Sequence, residues 1–395
     1  MNEPTMHDEL ESNTVTDCAT DVVEPMNVDE AVRSRYSQAA EQREPELCCP
    51  VDYDDRFLKV IPQEILERDY GCGDPSRFLR AGEHVLDLGS GGGKICYIAA
   101  QVVGPQGSVT GVDCNAEMLE LARKYRGQIA EQLGYDNVTF AKGRIQDLKL
   151  DLELLDPLLG EHPIESAADW LALQEKLDEL RIRQPMIANE AVDVVVSNCV
   201  LNLVKRSDRH QLFGEIFRVL KPGARAVISD IVSNADVPER LQNDARLWSG
   251  CISGAFREDR FIDAFSDAGF HGMQIVSRQV EPWAVVEGIE FRSVTVEAHK
   301  SHNASTDNSL RQVIYHGPWS AVMDDLGREL IRGQPMEVTG EEYNRYCYPP
   351  YASSVTAVPT ADDAGDEPLD GDAASTTTAL DIMPTGDCCG PGNCC

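Results

Sequence analysis

Apolar positions along the chain fall into short unbroken runs separated by segments with a helical repeat. "HVLDLG" (84–89), "SVTGVD" (108–113), "NVTFAKG" (137–143), "VDVVVSN" (192–198) and "ARAVISDIV" (224–232) read as strands. Between them, "GGGKICYIAAQVVG" (91–104), "NAEMLELARKYRGQIAEQLG" (115–134) and "RHQLFGEIFRVLKPG" (209–223) read as helices. Asn115 is placed as an N-cap, Gly134 as a C-cap, and Pro222-Gly223 as a helix stop. Nearly all-apolar strands alternating with helices predict a parallel sheet covered on both faces. Right-handed crossovers then make it a doubly wound α/β fold of the Rossmann-like kind.

The same pattern divides the chain. Residues 33–235 form the doubly wound domain, with 149–191 as a surface insertion holding the amphipathic helix "ADWLALQEKLDEL". Residues 236–300 read as a smaller α+β substrate-binding region. It contains "LQNDARLWSGCISG", the helix "REDRFIDAFSDAGF", and strands "MQIVSRQV" and "FRSVTVEAHK". A small C-terminal domain over 301–350 has one strand-like run, "RQVIYHG".

Composition changes the reading of the two ends. Net charge is −32, with 67 acidic and 35 basic residues. Residues 1–32 hold nine acids and 351–395 hold eight, neither with any Lys or Arg, and both stretches are expected to be disordered. So acidic a chain has no general attraction for nucleic acid or anionic lipid. No run reaches the roughly 18 apolar residues needed to span a bilayer. The N-terminus lacks a signal-peptide pattern, so a cytoplasmic location is expected. Thiols there stay mostly reduced, and 13 cysteines, two pairs of them in the terminal "CCGPGNCC", call for a chemical reason.

"VLDLGSGGGK" (85–94) is a glycine turn from strand to helix. The phosphate-loop pattern fails, because Lys94 is followed by Ile95. The dinucleotide pattern fails too, because its third glycine would fall on Lys94. What remains is D-x-G-x-G-x-G with Asp87 inside the turn. An acid there would repel a pyrophosphate but suits a cationic ligand such as S-adenosylmethionine, with its sulfonium and ammonium. Asp113, ending the second strand, suits both ribose hydroxyls, as a carboxylate at this strand end does for dinucleotides. "GRIQDL" (143–148) ends the third strand, where an adenine edge would lie. The candidate cofactor contacts are Tyr70, Asp87, Gly89, Gly91, Gly93, Asp113, Cys114, Ile145, Gln146 and Asn198.

Ligands of doubly wound sheets sit at the carboxyl ends of the strands. "SNCVLNLV" places Cys199 at such an end. "YGCG" and "LWSGCISG" place Cys72 and Cys251 in flanking turns. Three separate thiols select a soft centre. Their spacing lacks the paired C-x₂₋₄-C of structural zinc and suits a pyramidal three-coordinate centre such as trivalent arsenic. Cys96 reads as a buried helix residue.

"YGCG", "LDLGSGGGKICY", "SNCVLNLV", "FRVLKPG", "LWSGCISGA" and "QVIYHG" together resemble the arsenite S-adenosylmethionine methyltransferases over about residues 45–320, and "GDCCGPGNCC" resembles a tail that some members carry. The resemblance implies arsenic bound by Cys72, Cys199 and Cys251, with Cys49 or Cys48 in redox turnover. It implies arsenite or its thiol conjugates as substrate, a thiol reductant of the glutathione or thioredoxin type, S-adenosylmethionine as co-substrate, and no required metal ion. Lys94-Ile95 stand where the family has Arg-Asp, and Gln146 where it has Glu. Two alternatives stay open: a methyltransferase of another small molecule with structural cysteines, and a non-catalytic thiol-rich metalloid binder.

Overall fold

A computed structural model of the chain describes residues 26–47, 51–302 and 310–358. A helix α1 (Val28–Glu41) comes first, then short helices α2 (Asp55–Leu58) and α3 (Gln63–Glu67). The doubly wound part follows: β1 (His84–Leu88), α4 (Lys94–Val103), β2 (Ser108–Asp113), α5 (Ala116–Lys124), α6 (Arg126–Leu133) and β3 (Val138–Lys142). After α7 (Leu155–Glu161) and α8 (Ala167–Arg183) come β4 (Val192–Asn198), α9 (Arg209–Val219) and β5 (Leu220–Ser233). The helix expected to stop at Pro222-Gly223 stops at Val219. Leu220 already pairs with Val192, so the Pro-Gly pair sits in the irregular start of a strand. The helix read over 115–134 breaks at Tyr125, while Asn115 and Gly134 cap it as expected: the Asn115 side chain accepts the Met118 N–H, and Gly134 is left-handed.

β1 pairs in parallel with β2 and β4, β2 with β3, and β4 with β5. The strand order therefore reverses at β1, which opens a crevice at the carboxyl ends of β1 and β4. Two apolar clusters cover the sheet's faces. One joins Phe213, Phe261 and Phe265 to β4 and β5, and the other joins Ile95, Tyr97, Ile98 and Leu119 to β1 and β2.

The region after 235 is not a separate layer. After α10 (Glu239–Gln242), α11 (Ala245–Ser249), β6 (Phe256–Arg257) and α12 (Glu258–Asp267), strands β7 (His271–Arg278), β8 (Ala284–Val286) and β9 (Ile289–His299) join the same sheet. β9 runs antiparallel to β5 over nine residue pairs, from Arg225↔His299 to Ser233↔Phe291. A continuation this long pairs β5 on both edges, and its residues from Ala224 to Ser233 are all buried, Arg225 and Asp230 among them.

Both ends are more ordered than their composition suggests. α1 begins at Val28, inside the stretch read as disordered. Beyond 350, β14 (Val355–Val358) pairs with β10 (Arg311–Tyr315), which also pairs with β13 (Pro335–Val338). β11 (Ala321–Met323), β12 (Glu329–Ile331) and α13 (Gly340–Tyr346) complete this small C-terminal unit around Val313, Tyr346 and Val355. The insertion holds α8 as expected, yet only Leu177 of that helix is buried. Among the described residues, no helix is long and apolar enough to cross a membrane.

Arg225 of β5 lies almost fully buried against Glu83, with Nη1 to Oε1 at 2.6 Å, and also donates to the Phe78 carbonyl. Removing one partner of a buried pair leaves the other charge without compensation. Glu83→Ala should therefore destabilise the fold by about 3 kcal/mol in urea unfolding. Adding Arg225→Met should recover most of that loss; a double variant no more stable than the single one would show that Glu83 acts some other way.

Candidate functional site

The crevice opens into a cavity of about 370 Å³. One end is the glycine turn. Gly89, Ser90, Gly91 and Gly92 line it, and the Gly91 N–H donates to Asp113 Oδ2 at 2.9 Å. The other Asp113 oxygen accepts from the Asn115 N–H at 2.8 Å, which locks the carboxylate at the end of β2. Gly93 stands behind the turn, at the start of α4. Its φ of +87° starts α4, and a Cβ there would sit 2.9 Å from the Phe140 ring, so this glycine serves close helix packing.

Asp87 is buried at the cavity floor and accepts a hydrogen bond from the Cys96 thiol at 3.2 Å. Burial pushes its carboxyl up to about 7, with the neighbouring Asp69 and Asp113 carboxylates adding to the shift. Asp69 pairs with Lys94, the residue in place of the family's Arg, and the Lys94 ammonium also lies over the Tyr53 ring. Asp69, Asp87 and Asp113 thus gather at the floor, with Lys94 paired to the first of them. Ile145 and Gln146 stand on the far wall beyond β3, and Cys114 is exposed at the rim.

The other end is built from thiols. Asn198, the last residue of β4, accepts the N–H groups of Cys72 and Gly73 at 2.9 and 3.0 Å, and its amide donates to the Gly73 carbonyl at 2.8 Å. A Cβ on Gly71 would collide with that amide, so only glycine allows the approach. Asn198 therefore spends its hydrogen bonds on positioning the Cys72 loop, while its edge still lines the cavity. Cys199 follows with φ +66°, and Cys251, after α11, has φ +61°. Each left-handed non-glycine costs about 1–3 kcal/mol and persists only where its surroundings hold it. Cys251 Sγ donates to the Cys199 carbonyl at 3.1 Å, and the Cys199 thiol is within hydrogen-bonding reach of both Cys72 and Cys251. Those contacts and burial hold the Cys199 thiol well above its ordinary range. The structure thus brings Cys72, Cys199 and Cys251 together. Cys96 stays apart, in α4. Cys48, Cys49 and the C-terminal "CCGPGNCC" lie outside the described residues.

Two features of the site went unread in the sequence. Asp230 of β5 is buried beside Cys72 and Cys199, and the ligand atoms of these three lie within 4.8 Å of one another. Its only local trace is an acid inside the apolar run "ARAVISDIV", which does not by itself point to the pocket. The second is α1, whose Asp29, Val32, Arg33 and Tyr36 wall the cavity. Tyr36 packs edge-on to Tyr70 at 6.2 Å and reaches the Cys251 thiol. Tyr70 lines the cavity too, but its hydroxyl is taken by α1, donating to the Ala39 carbonyl at 3.0 Å.

The arrangement joins an acidic, glycine-backed cavity to a buried thiol cluster. A methyltransferase domain model matches residues 79–269, and a domain of unknown function matches residues 303–379. The human arsenite methyltransferase is 32% identical over 301 residues, covering 72% of this chain and 69% of the relative. The Mus musculus arsenite methyltransferase is 35% identical, covering 66% and 61%; that of Halobacterium salinarum is also 35% identical, covering 58% and 50%. The chain thus spans between half and about two thirds of these relatives' lengths. Among solved structures, the arsenic(III) S-adenosylmethionine methyltransferase of Chlamydomonas reinhardtii matches with a TM-score of 0.51 and 25% identity, covering 78% of this chain and 96% of that one. With its methyltransferase fold and this degree of identity across most of the human relative, the chain belongs to the arsenite methyltransferase family.

Proposed function

We propose that this chain transfers a methyl group from S-adenosylmethionine to trivalent arsenic held by the thiolates of Cys72, Cys199 and Cys251, and that it serves arsenic detoxification. The observation that carries the reading is the convergence of three cysteines from distant segments at the end of β4, two of them in left-handed backbone, beside an acidic cavity. Structural cysteines would not call for that strain, and a metalloid buffer would have no use for the glycine turn and Asp113.

The cavity fits the co-substrate by its charge. Buried Asp87 accepts from a thiol and has no ion-pair partner among the described residues, and Asp113 is held at the strand end, where a ribose is expected. When bound, S-adenosylmethionine supplies a methyl group on an electrophilic sulfonium. Asp69, Asp87 and Asp113 supply the negative potential that favours such a cation. The three thiols exchange with the ligands of arsenite or its thiol conjugate and release their protons. Thiolate coordination uses three valences of arsenic and leaves its lone pair free, so no general base is required. Catalysis rests on positioning, to which the Asn198 clamp and the strained Cys199 contribute. Tyr36, Tyr70 and α1 keep water from the compartment. A thiol reductant is needed afterwards to return arsenic to the trivalent state, and Cys48 or Cys49 is the candidate internal partner.

Cys199→Ser should lower methylation of arsenite and of methylarsenite by about two orders of magnitude while S-adenosylmethionine still binds, because serine is a hard oxygen ligand. Cys72→Ser should hurt arsenite more than methylarsenite, which needs only two thiols. Cys96→Ser keeps a donor to Asp87 and should leave turnover within about twofold of the unsubstituted chain. Product analysis by mass spectrometry after mixing protein, arsenite, glutathione and S-adenosylmethionine decides; normal methylation by Cys199→Ser would sink the assignment.

A pH dependence also follows from Asp87. In the free chain its carboxyl titrates at about 7. A bound cation favours the carboxylate, so binding expels the proton. Affinity for S-adenosylmethionine should fall as pH drops below about 7, by up to about tenfold per pH unit. Asp87→Asn should flatten the curve. Calorimetry at pH 6 and 8 tests this; equal wild-type affinities would place the cation elsewhere.

A further inference from the structure

The thiol pocket contains a carboxylate that the proposed methyl transfer does not use. Asn198 pairs with Ser229 across β4 and β5, and the Cys199 N–H donates to the Ser229 carbonyl, which brings the next residue, Asp230, alongside. Asp230 is 1% exposed, and Cys72 and Cys199 are each 6% exposed. Its Oδ1 accepts from Asn202 Nδ2 at 2.7 Å and from the Ile231 N–H at 2.8 Å. Its Oδ2 accepts from the Asn202 N–H at 3.2 Å, and the Leu201 N–H also reaches the carboxylate. The Oδ2 bond is the long one, so this oxygen is the freer to turn to another partner.

We propose that Cys72, Cys199 and Asp230 form a binding site for a divalent soft cation of the zinc group, Zn²⁺ or Cd²⁺. Zinc takes thiolate sulfur at about 2.3 Å and carboxylate oxygen at about 2.0–2.2 Å in a tetrahedron, which sets ligand atoms about 3.5–4 Å apart. The three donor atoms lie within 4.8 Å of one another, close enough to contract onto such an ion. Cys251, whose thiol reaches Cys199, or a water from the cavity completes the tetrahedron. Asn202 and the Ile231 amide hold the carboxylate in place, as partners of metal ligands do. Two thiols release their protons to solvent on binding, and no oxidant or reductant takes part.

The carboxylate separates this cation from arsenic. Trivalent arsenic is satisfied by three sulfurs and carries a lone pair where a fourth ligand would be, so it gains nothing from Asp230. A divalent cation with two thiolates gains a third anionic ligand. The site would therefore admit zinc-group ions in competition with arsenite, using a residue that arsenite does not need. Only this comparison rests on the arsenic reading; the cation site stands on the donor geometry.

The cadmium titration uses the full-length chain with the thiols outside the described residues removed by Cys18→Ser, Cys48→Ser, Cys49→Ser, Cys388→Ser, Cys389→Ser, Cys394→Ser and Cys395→Ser. Cd²⁺ is the probe, titrated by its thiolate charge-transfer absorbance and by cadmium-113 NMR. The expected result is one tightly bound Cd²⁺ with a resonance between those of all-sulfur and all-oxygen sites. Adding Asp230→Asn should weaken Cd²⁺ by about tenfold or more and leave the affinity for glutathione-conjugated arsenite within about twofold. In the chain that keeps Cys48 and Cys49, Zn²⁺ should inhibit methylation competitively with arsenite, and Asp230→Asn alone should relieve the inhibition. An all-sulfur resonance, or unchanged Cd²⁺ affinity in Asp230→Asn, overturns the proposal. If Asp230→Asn fails to bind S-adenosylmethionine and so has not folded, the cadmium resonance of the chain with Asp230 intact decides alone. Cd²⁺ binding without any arsenite binding would instead refute the arsenic reading and leave the cation site standing.

Discussion

The carboxamide of Asn198 ties the last residue of a central strand to a loop that has no regular structure of its own. It accepts two N–H groups from the loop and returns one to the Gly73 carbonyl. A second loop contact, to the Tyr53 hydroxyl at 3.2 Å, uses its remaining donor capacity. A buried amide whose capacity is met at four points is hard to move, because any shift leaves polar atoms without partners. The rigidity of the sheet is thereby passed to Cys72. Cys199 is the first residue after β4, and Cys251 is fastened to the Cys199 carbonyl. The relative placement of all three sulfurs follows from one strand end.

That strand end also explains where the strain lies. A chain leaving a parallel strand toward a helix ordinarily turns on glycine, as the turn after β1 does, where Gly89, Gly91 and Gly93 all have positive φ. After β4 the turn is made by Cys199 and, across the pocket, the turn after α11 by Cys251. Side chains are kept at two positions where glycine would be easier, so the sulfur there must be worth more than the strain. Two chemistries are thus sorted within one crevice. Carboxylates gather at the β1 and β2 ends and favour a cation, and polarisable sulfurs gather at the β4 end and favour a soft centre.

The first of these was legible and the second partly so. Asp87, the glycines and Asp113 sit on regular strand ends, and local pattern is enough to place them. The three thiols were legible because each lies in a recognisable turn motif. Asp230 was not, since within "ARAVISDIV" it looks like one polar residue in a buried strand, and its meaning depends on the pairing of β4 with β5. The joining of β7 and β9 to the main sheet was hidden for the same reason: antiparallel partners distant in sequence leave no local trace. β14 sits in an acidic, threonine- and alanine-rich stretch, and its strand character comes from pairing with β10.

α1 was hidden more deeply, and the reason bears on how the site works. Of its fourteen residues only Ala39 and Ala40 are buried, so it carries almost no apolar stripe. Apart from a small apolar cluster of Tyr36, Ala39 and Ala40 with Leu47, Tyr70 and Met118, it is held by polar contacts. Arg35 donates to the Arg246 carbonyl at 2.8 Å and to Ser249 at 3.1 Å on α11, Ser37 accepts from Asn115 at 2.9 Å at the start of α5, and Asp29 pairs with Lys205 at 2.6 Å. These contacts reach the Asp113 end and the Cys251 end at once. A helix docked through hydrogen bonds and exposed ion pairs gains far less from docking than one that buries an apolar face. The carboxylates and sulfurs are thus set by strand ends of the sheet, and the wall that faces them is set by a helix whose contacts are mostly polar.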